Sequence, residues 1–272
     1  MTSFVIGTGF IGGQLIRALR AGGIEVTQSS RQPGRGDVTL TDGAALDQLL
    51  LSRSYAQVIV VGQLTAHDID WVLERIDGSR WIVLSSQQLA SSVPAPGAEA
   101  ALAREAVALR RGACVLRPTM VYGGGADGNI SRLIRFSQRW HFMATPGPGH
   151  HLVQPLHVAD LAELIKSHCA HEVCGLYEVG GPEALPIREV VSTVAEILGV
   201  RWRQVEIPSG AIRVAARIAP LLGLRPDQIM RLSEDRTADI SQARTAFGWE
   251  PQPLGNRLEQ AVQEVQAGHG RF

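Results

Sequence analysis

The sequence predicts an α/β protein: a doubly wound, mainly parallel sheet with a smaller carboxyl-terminal lobe. Three observations carry that expectation. Short, fully apolar runs alternate with helical patterns through the first half of the chain. A glycine-rich turn lies directly between the first apolar run and the first helical pattern. After about Gly123 the alternation loosens into segments rich in glycine and proline.

Taken in order, Phe4-Val5-Ile6 reads as a strand and Phe10 to Ala21 as a helix. Glu25 to Gln28 is a second strand, Ala44 to Leu51 a helix, and Gln57 to Val61 a β-branched third strand. Asp68 to Ile76 has a helical pattern, Trp81 to Leu84 reads as a strand, Glu99 to Arg110 as a helix and Ala113 to Leu116 as a strand. Strands this apolar fit burial on both faces of a sheet. Gly123-Gly124-Gly125 and Thr145 to Gly149 read as loops. Further helices are expected at Ile130 to Arg139, Val158 to His168, Ile187 to Leu198, Ala211 to Leu222 and Leu254 to Val265. The sheet is expected to end near Tyr177-Glu178-Val179. The domain reading is a core over 1–125 and a lobe over 126–272, interleaved with the last strands.

Composition narrows the function classes. The 272 residues are 45% hydrophobic and 19% charged, enough to bury a sizeable core. Formal net charge is zero, which argues against a nucleic-acid partner. Lys166 is the single lysine. Cys114, Cys169 and Cys174 have no ligand spacing, so neither a disulfide framework nor a metal site is expected. The amino terminus runs into glycines without a basic stretch, which predicts no signal peptide. The apolar stretch Ala211 to Leu224 carries Arg213, Arg217 and Pro220 and is a poor bilayer span. Its arginines, four apart, leave an apolar face that fits a lobe helix or a membrane surface. A cytoplasmic protein is expected.

The segment Gly7-Thr8-Gly9-Phe10-Ile11-Gly12 is a G-x-G-x-x-G after a strand and at the start of a helix. Gly7 permits the tight turn, Gly9 lets backbone approach a pyrophosphate, and Gly12 allows close helix–strand packing. The helix amino terminus supplies unpaired N–H groups. This is the Rossmann signature of a dinucleotide site. The second strand runs on through Thr27-Gln28-Ser29-Ser30-Arg31 without a carboxylate. Ser30 and the guanidinium of Arg31 suit a 2′-phosphate, so the expected cofactor is NADP(H). Asp37 stands where such folds often contact adenine.

With these residues the chain resembles the extended and atypical short-chain dehydrogenase/reductases, the nucleotide-sugar epimerase/dehydratase-like group. The resemblance rests on the glycine loop, Val83-Leu84-Ser85-Ser86, Leu116-Arg117-Pro118-Thr119-Met120-Val121-Tyr122-Gly123, Leu156-His157-Val158-Ala159-Asp160, Val179-Gly180-Gly181-Pro182-Glu183 and Ala246-Phe247-Gly248-Trp249-Glu250-Pro251. It implies a Rossmann domain with a small carboxyl-terminal substrate lobe. It also implies that Pro118 and Thr119 lie against the nicotinamide and Tyr122 beside the substrate pocket.

Three departures stand out. The family's usual G-x-x-G-x-x-G would put its first glycine at Ile6. The family's Tyr-x-x-x-Lys pair is missing: Tyr55, Tyr122 and Tyr177 are followed four places on by Ile59, Ala126 and Gly181. Alignment through Glu105 puts Gly97 at the tyrosine position, Ala101 at the lysine position and Gln87 near the family's serine or threonine. An arginine that often pairs with the sugar-nucleotide diphosphate is replaced by Val153.

Replacement chemistry has to come from the carboxyl ends of strands. Tyr122 is the first candidate for a hydroxyl donor. His67, in the loop after the third apolar run, is a candidate general acid. Ser85 and Ser86 are candidates to bond a carbonyl or a ribose. His141 and the pair His150-His151 belong to the loop expected over the substrate. His157 and Asp160 read as caps of the following helix. Three readings stay open: an NADPH-dependent reductase of a small carbonyl, enone or imine, an NADPH-binding scaffold or sensor without turnover, and a non-redox isomerase or dehydratase. A small-molecule substrate is the expected partner, and a homodimer is left open.

Overall fold

The computed structural model describes residues 2–30, 34, 36–39, 43–52, 54–61, 64, 69–92, 95–125, 127–171, 173–208, 211 and 234–268. Seven strands form one all-parallel sheet: β1 (Thr2–Ile6), β2 (Glu25–Ser30), β3 (Val38–Thr39), β4 (Gln57–Val60), β5 (Trp81–Leu84), β6 (Cys114–Pro118) and β11 (Gly175–Val179). Their order is β11-β6-β5-β4-β1-β2-β3. Winding therefore reverses between β1 and β4, the switch point at whose carboxyl ends ligands bind in open sheets.

The two faces follow from the strand period of two. Val5, Ile59, Ile82 and Leu116 point to one side, where they pack with α1 (Phe10–Ala21) and α6 (Val158–His171). Phe4, Ile6, Val58, Val60, Val83 and Val115 point to the other. That side is covered by α2 (Gly43–Ser52), α3 (Asp70–Leu73) and α4 (Ala98–Arg110). All four side chains of β5 are buried, as expected of a strand covered twice.

A third apolar cluster lies outside the sheet. It joins α5 (Ile130–Trp140), α7 (Ile187–Leu198) and α9 (Leu254–Gln266) through Ile134, Val191, Val194, Leu258 and Val262. The element α8 (Ser241–Phe247) instead packs on the α6 side of the sheet through Ala243 and Phe247.

Short strand pairs brace this half. These are β7 (Val121–Tyr122) with β10 (Leu156–His157), β9 (Leu152–Val153) with β12 (Leu185–Pro186), and β8 (Phe142–Pro146) with β13 (Arg203–Ile207). Asp160, in the first turn of α6, accepts from the Arg257 guanidinium at 2.5 and 3.1 Å, tying α9 to α6.

Several expectations change. The helix expected over Asp68–Ile76 is the four-residue α3. After it, Arg75 N–H donates to the Val72 carbonyl and Ile76 N–H to the Leu73 carbonyl, three-residue bonds that tighten and end the helix. The Arg75 guanidinium also takes the Trp71 carbonyl at 2.6 Å. Phe142–Pro146 is a strand, although its end falls within the segment read as a loop. His157 does cap α6, its Nδ1 accepting from Ala159 N–H at 3.2 Å, whereas Asp160 bonds Arg257 instead of capping. All of the helix expected at Ala211 to Leu222 except Ala211 lies outside the described residues, as do Arg31 and His67.

Candidate dinucleotide-binding site

The turn from β1 into α1 is held by three glycines with different duties. Gly7 sits at φ +110°, a conformation side-chain-bearing residues rarely adopt, and its N–H donates to the Ser29 carbonyl at 3.0 Å. With Gly7 making the turn, the loop does not need a glycine at Ile6. Gly12 is buried, and a Cβ there would stand 1.8 Å from the Gly7 carbonyl oxygen. Gly9 is the opposite case: it is exposed, and a Cβ there would meet nothing within 4 Å. No side-chain hydrogen bond caps α1 among the described residues, which leaves its first N–H groups without a capping acceptor. The residues present therefore fit a dinucleotide pyrophosphate. One glycine closes the packing, one leaves backbone approachable, and the helix end offers donors and a positive dipole. Thr8, Phe10 and Ile11 are half-buried around the turn, Phe10 and Ile11 against the α1 side of the core.

Beside this loop, β2 ends on Ser30, which is buried and paired in register with Thr39. Asp37 closes the following turn on Gln28. Its carboxylate accepts from Gln28 N–H at 2.9 Å, and its own N–H donates to the Gln28 carbonyl at 2.9 Å. Asp37 is exposed, so this clamp leaves an edge of the carboxylate open to a ligand.

The ends of β5 and β6 carry a polar cluster. Ser85 Oγ donates to Glu105 at 2.5 Å, and Arg117 donates to the same carboxylate at 2.5 and 3.0 Å. Glu105, on α4, is 3% exposed, and the pair raises the Arg117 guanidinium above its usual range. Ser86 Oγ accepts from Gln88 N–H at 3.2 Å, starting the 3-10 turn at Gln87–Ala90. Accepting there leaves the Ser86 O–H itself free to donate. Pro118 is buried. Thr119 donates through N–H to the Val179 carbonyl at 2.9 Å and through Oγ1 to the Gln154 carbonyl at 2.5 Å. The glycine loop, the β2 end, Ser85, Ser86, Pro118 and Thr119 thus all lie along the carboxyl edge of one sheet.

Tyr122 is a correction to the sequence reading. It is fully buried in the third cluster with its ring edge against His157, centroids 5.1 Å apart, so it presents no surface to a substrate. Burial pushes its phenol well above the usual range, the Asp160 charge adding to this and Arg257 opposing it. The neighbouring imidazole is equally enclosed: burial, then the Arg257 charge, lower the His157 pKa to about 3. Gly123 makes the close approach possible, since a Cβ there would sit 2.5 Å from His157 Nε2. His150 bonds the Arg188 guanidinium at 2.7 Å, and His151 stands 4.0 Å from Asp235. Among the described residues no group of three His, Cys, Asp or Glu is arranged to hold a metal ion. An open cleft of about 560 Å³ lies between Gln154, Pro182, Asp239 and Arg244, beyond the end of the edge strand β11.

Comparison with known proteins places this architecture. No family model matches the chain. Short-chain dehydrogenase/reductase family 42E member 1 of Bos taurus is 25% identical over 196 residues, 62% of this chain and 49% of that protein. An uncharacterized protein, y4nG, of Sinorhizobium fredii is 27% identical over 147 residues, 53% of this chain and 37% of that protein. The chain thus spans half or less of the length of these curated relatives. Among solved structures, MoeE5 in complex with UDP-glucose and NAD superposes at a TM-score of 0.70 and 22% identity, over 98% of this chain and 99% of that one. The dTDP-glucose 4,6-dehydratase of Bacillus anthracis in complex with NAD reaches 0.75 at 14% identity, covering 98% and 97%. The UDP-glucose 4-epimerase of Thermotoga maritima reaches 0.74 at 16%, covering 98% and 99%. The chain has the short-chain dehydrogenase/reductase fold.

Within that fold the departures in α4 become physical. Gly97 is the left-handed cap before α4, at φ +79°, and Ala101 is buried at 1% exposure. Neither offers a hydroxyl or an ammonium. Arg104, one turn on, binds Asp70 at 2.6 and 2.9 Å and the Leu64 carbonyl at 2.7 Å. Val153, at the resemblance's arginine position, is buried in the third cluster and pairs with Leu185. Ala101 and Val153 thus serve packing, and Gly97 starts the helix.

Proposed function

We propose that the protein binds NADP(H) along the carboxyl edge of its sheet and acts as an unconventional reductase of a small carbonyl, enone or imine. The observation that carries this reading is the glycine turn: Gly12 closed on Gly7, Gly9 open, and the amino end of α1 uncapped. Ser30 at the end of β2 and Arg31 beyond it favour the 2′-phosphorylated dinucleotide, because a guanidinium fork pairs with phosphate. The bound nicotinamide would supply the hydride. Ser86, whose oxygen accepts from Gln88 and whose O–H donates to no other described residue, would hold the substrate oxygen as charge develops on it. Solvent then replaces the family's tyrosine as the source of the proton.

A second reading has its own support. With Gly97 capping α4, Ala101 buried on it and Tyr122 buried, tight cofactor binding without turnover, as in a scaffold or sensor, needs none of the missing groups. The experiment that separates the two follows NADPH absorbance with panels of small aldehydes, ketones, enones and imines. Oxidation that falls at least about tenfold in Ser86→Ala, with cofactor affinity kept, supports the reductase. Unchanged NADPH with every class, alongside firm binding, supports the scaffold.

A further inference from the structure

The face of the second half where α5 ends against β13 is built unlike the rest of this charge-balanced chain. Trp140, the last residue of α5, is 55% exposed, and Val205 on β13 is 48% exposed. The Arg139 guanidinium lies over the Trp140 ring, 5.3 Å from its centre. The backbone ties the two segments together. Arg203 N–H donates to the His141 carbonyl at 3.0 Å, and β13 runs parallel to β8 with Arg203 opposite Phe142. Between them opens a shallow cleft of about 710 Å³ lined by Trp140, His141, Val200, Arg201, Trp202 and Arg203.

Charge there has one sign. Segments 130–141 and 200–203 contain five arginines and two tryptophans and no carboxylate, in a chain of 26 basic and 26 acidic residues. Glu206, the first carboxylate on β13, alternates to the side opposite Arg203 and Val205. The sequence from Ala211 to Leu224 continues the same composition, apolar with Arg213 and Arg217 and no acid.

We propose that this face seats the protein on an anionic lipid surface. Indole rings settle at the headgroup level, apolar body inward and N–H toward water, and arginine forks pair with headgroup phosphates. The exposed Trp140 with Arg139 stacked on it, and the half-buried Trp202 between Arg201 and Arg203, supply both contacts side by side. The inference is independent of the nicotinamide reading, because none of these residues belongs to the dinucleotide site.

The test is co-sedimentation of the whole protein with vesicles of phosphatidylcholine alone, and of phosphatidylcholine with about one-third phosphatidylglycerol. Tryptophan emission is recorded in the same samples. The expected result is binding to the anionic vesicles only, weakened by salt, with a blue-shifted emission. Trp140→Ala should remove most of the blue shift, and Arg201→Glu with Arg203→Glu should lower partitioning about tenfold or more. The variants should keep the parent's unfolding temperature, since they alter exposed side chains. Absence of binding, or equal binding to neutral vesicles, would overturn the proposal. Capture of a soluble poly-glutamate peptide without vesicle binding would also overturn it, reassigning the face to an acidic polypeptide.

Discussion

At the scale of single residues, the glycine turn and Tyr122 show why one feature was legible and the other was not. Gly7, Gly9 and Gly12 are constrained by backbone a few residues away, so their spacing in sequence carries their geometry. That makes a contrast testable. Gly9→Ala should leave stability unchanged, since its Cβ meets nothing within 4 Å, yet should weaken dinucleotide binding. Gly12→Ala should cost about 1–3 kcal/mol of stability or more, because its Cβ would overlap the Gly7 carbonyl. Thermal unfolding and cofactor titration of both variants check the pair. Tyr122, by contrast, is enclosed by α5, α7 and α9, segments that follow it in sequence, and nothing local announces that burial. His157 beside it gives a signed pH effect. Its pKa is about 3 when folded against an ordinary 6.5, so between those values the unfolded chain binds the proton and the folded chain does not. Its contribution is intact above pH 6.5 and is lost as pH falls toward 3, with a slope of at most about 1.4 kcal/mol per pH unit. His157→Gln should flatten denaturant-midpoint profiles in that window; an unaltered slope would show that other groups govern it.

Among the elements, α4 has changed most in role. In the resemblance this helix carries the tyrosine and lysine, whereas here it contributes Ala101 to the core, Arg104 to the loop at Leu64, and Glu105 to Ser85 and Arg117. Glu105→Gln should therefore lower stability by about 3 kcal/mol or somewhat less, the low end for breaking a buried ion pair, because Arg117 keeps some contact with water. An urea midpoint that does not move would mean that the cluster is not structural. The sheet strands and the long helices were readable because their apolar periodicities run over several residues. The β8–β13 pair was not: its strands are mixed in polarity and joined across distant sequence, so only tertiary packing defines them. The shortening of α3 was hidden similarly, since it depends on three-residue bonds and on the Arg75 guanidinium taking the Trp71 carbonyl.

For the whole molecule, the seven-stranded parallel sheet brings the glycine turn, Ser30, Ser86, Pro118 and Thr119 to one edge, the doubly wound order of a Rossmann sheet. Where the sheet reverses its winding, the open glycine turn and the uncapped amino end of α1 fit a dinucleotide pyrophosphate. Arg31→Ala should weaken NADPH binding about tenfold or more while sparing NADH, as expected for loss of a charge-assisted phosphate contact; equal losses would remove the 2′-phosphate assignment. The dinucleotide site is tested most directly by calorimetric titration of the unaltered protein with NADPH and NADH in parallel, with Gly9→Ala as the control. Saturable binding of both dinucleotides is expected, tighter for NADPH and weakened by the substitution at Gly9. Heats indistinguishable from dilution for both would contradict it, leaving the glycine turn as packing alone.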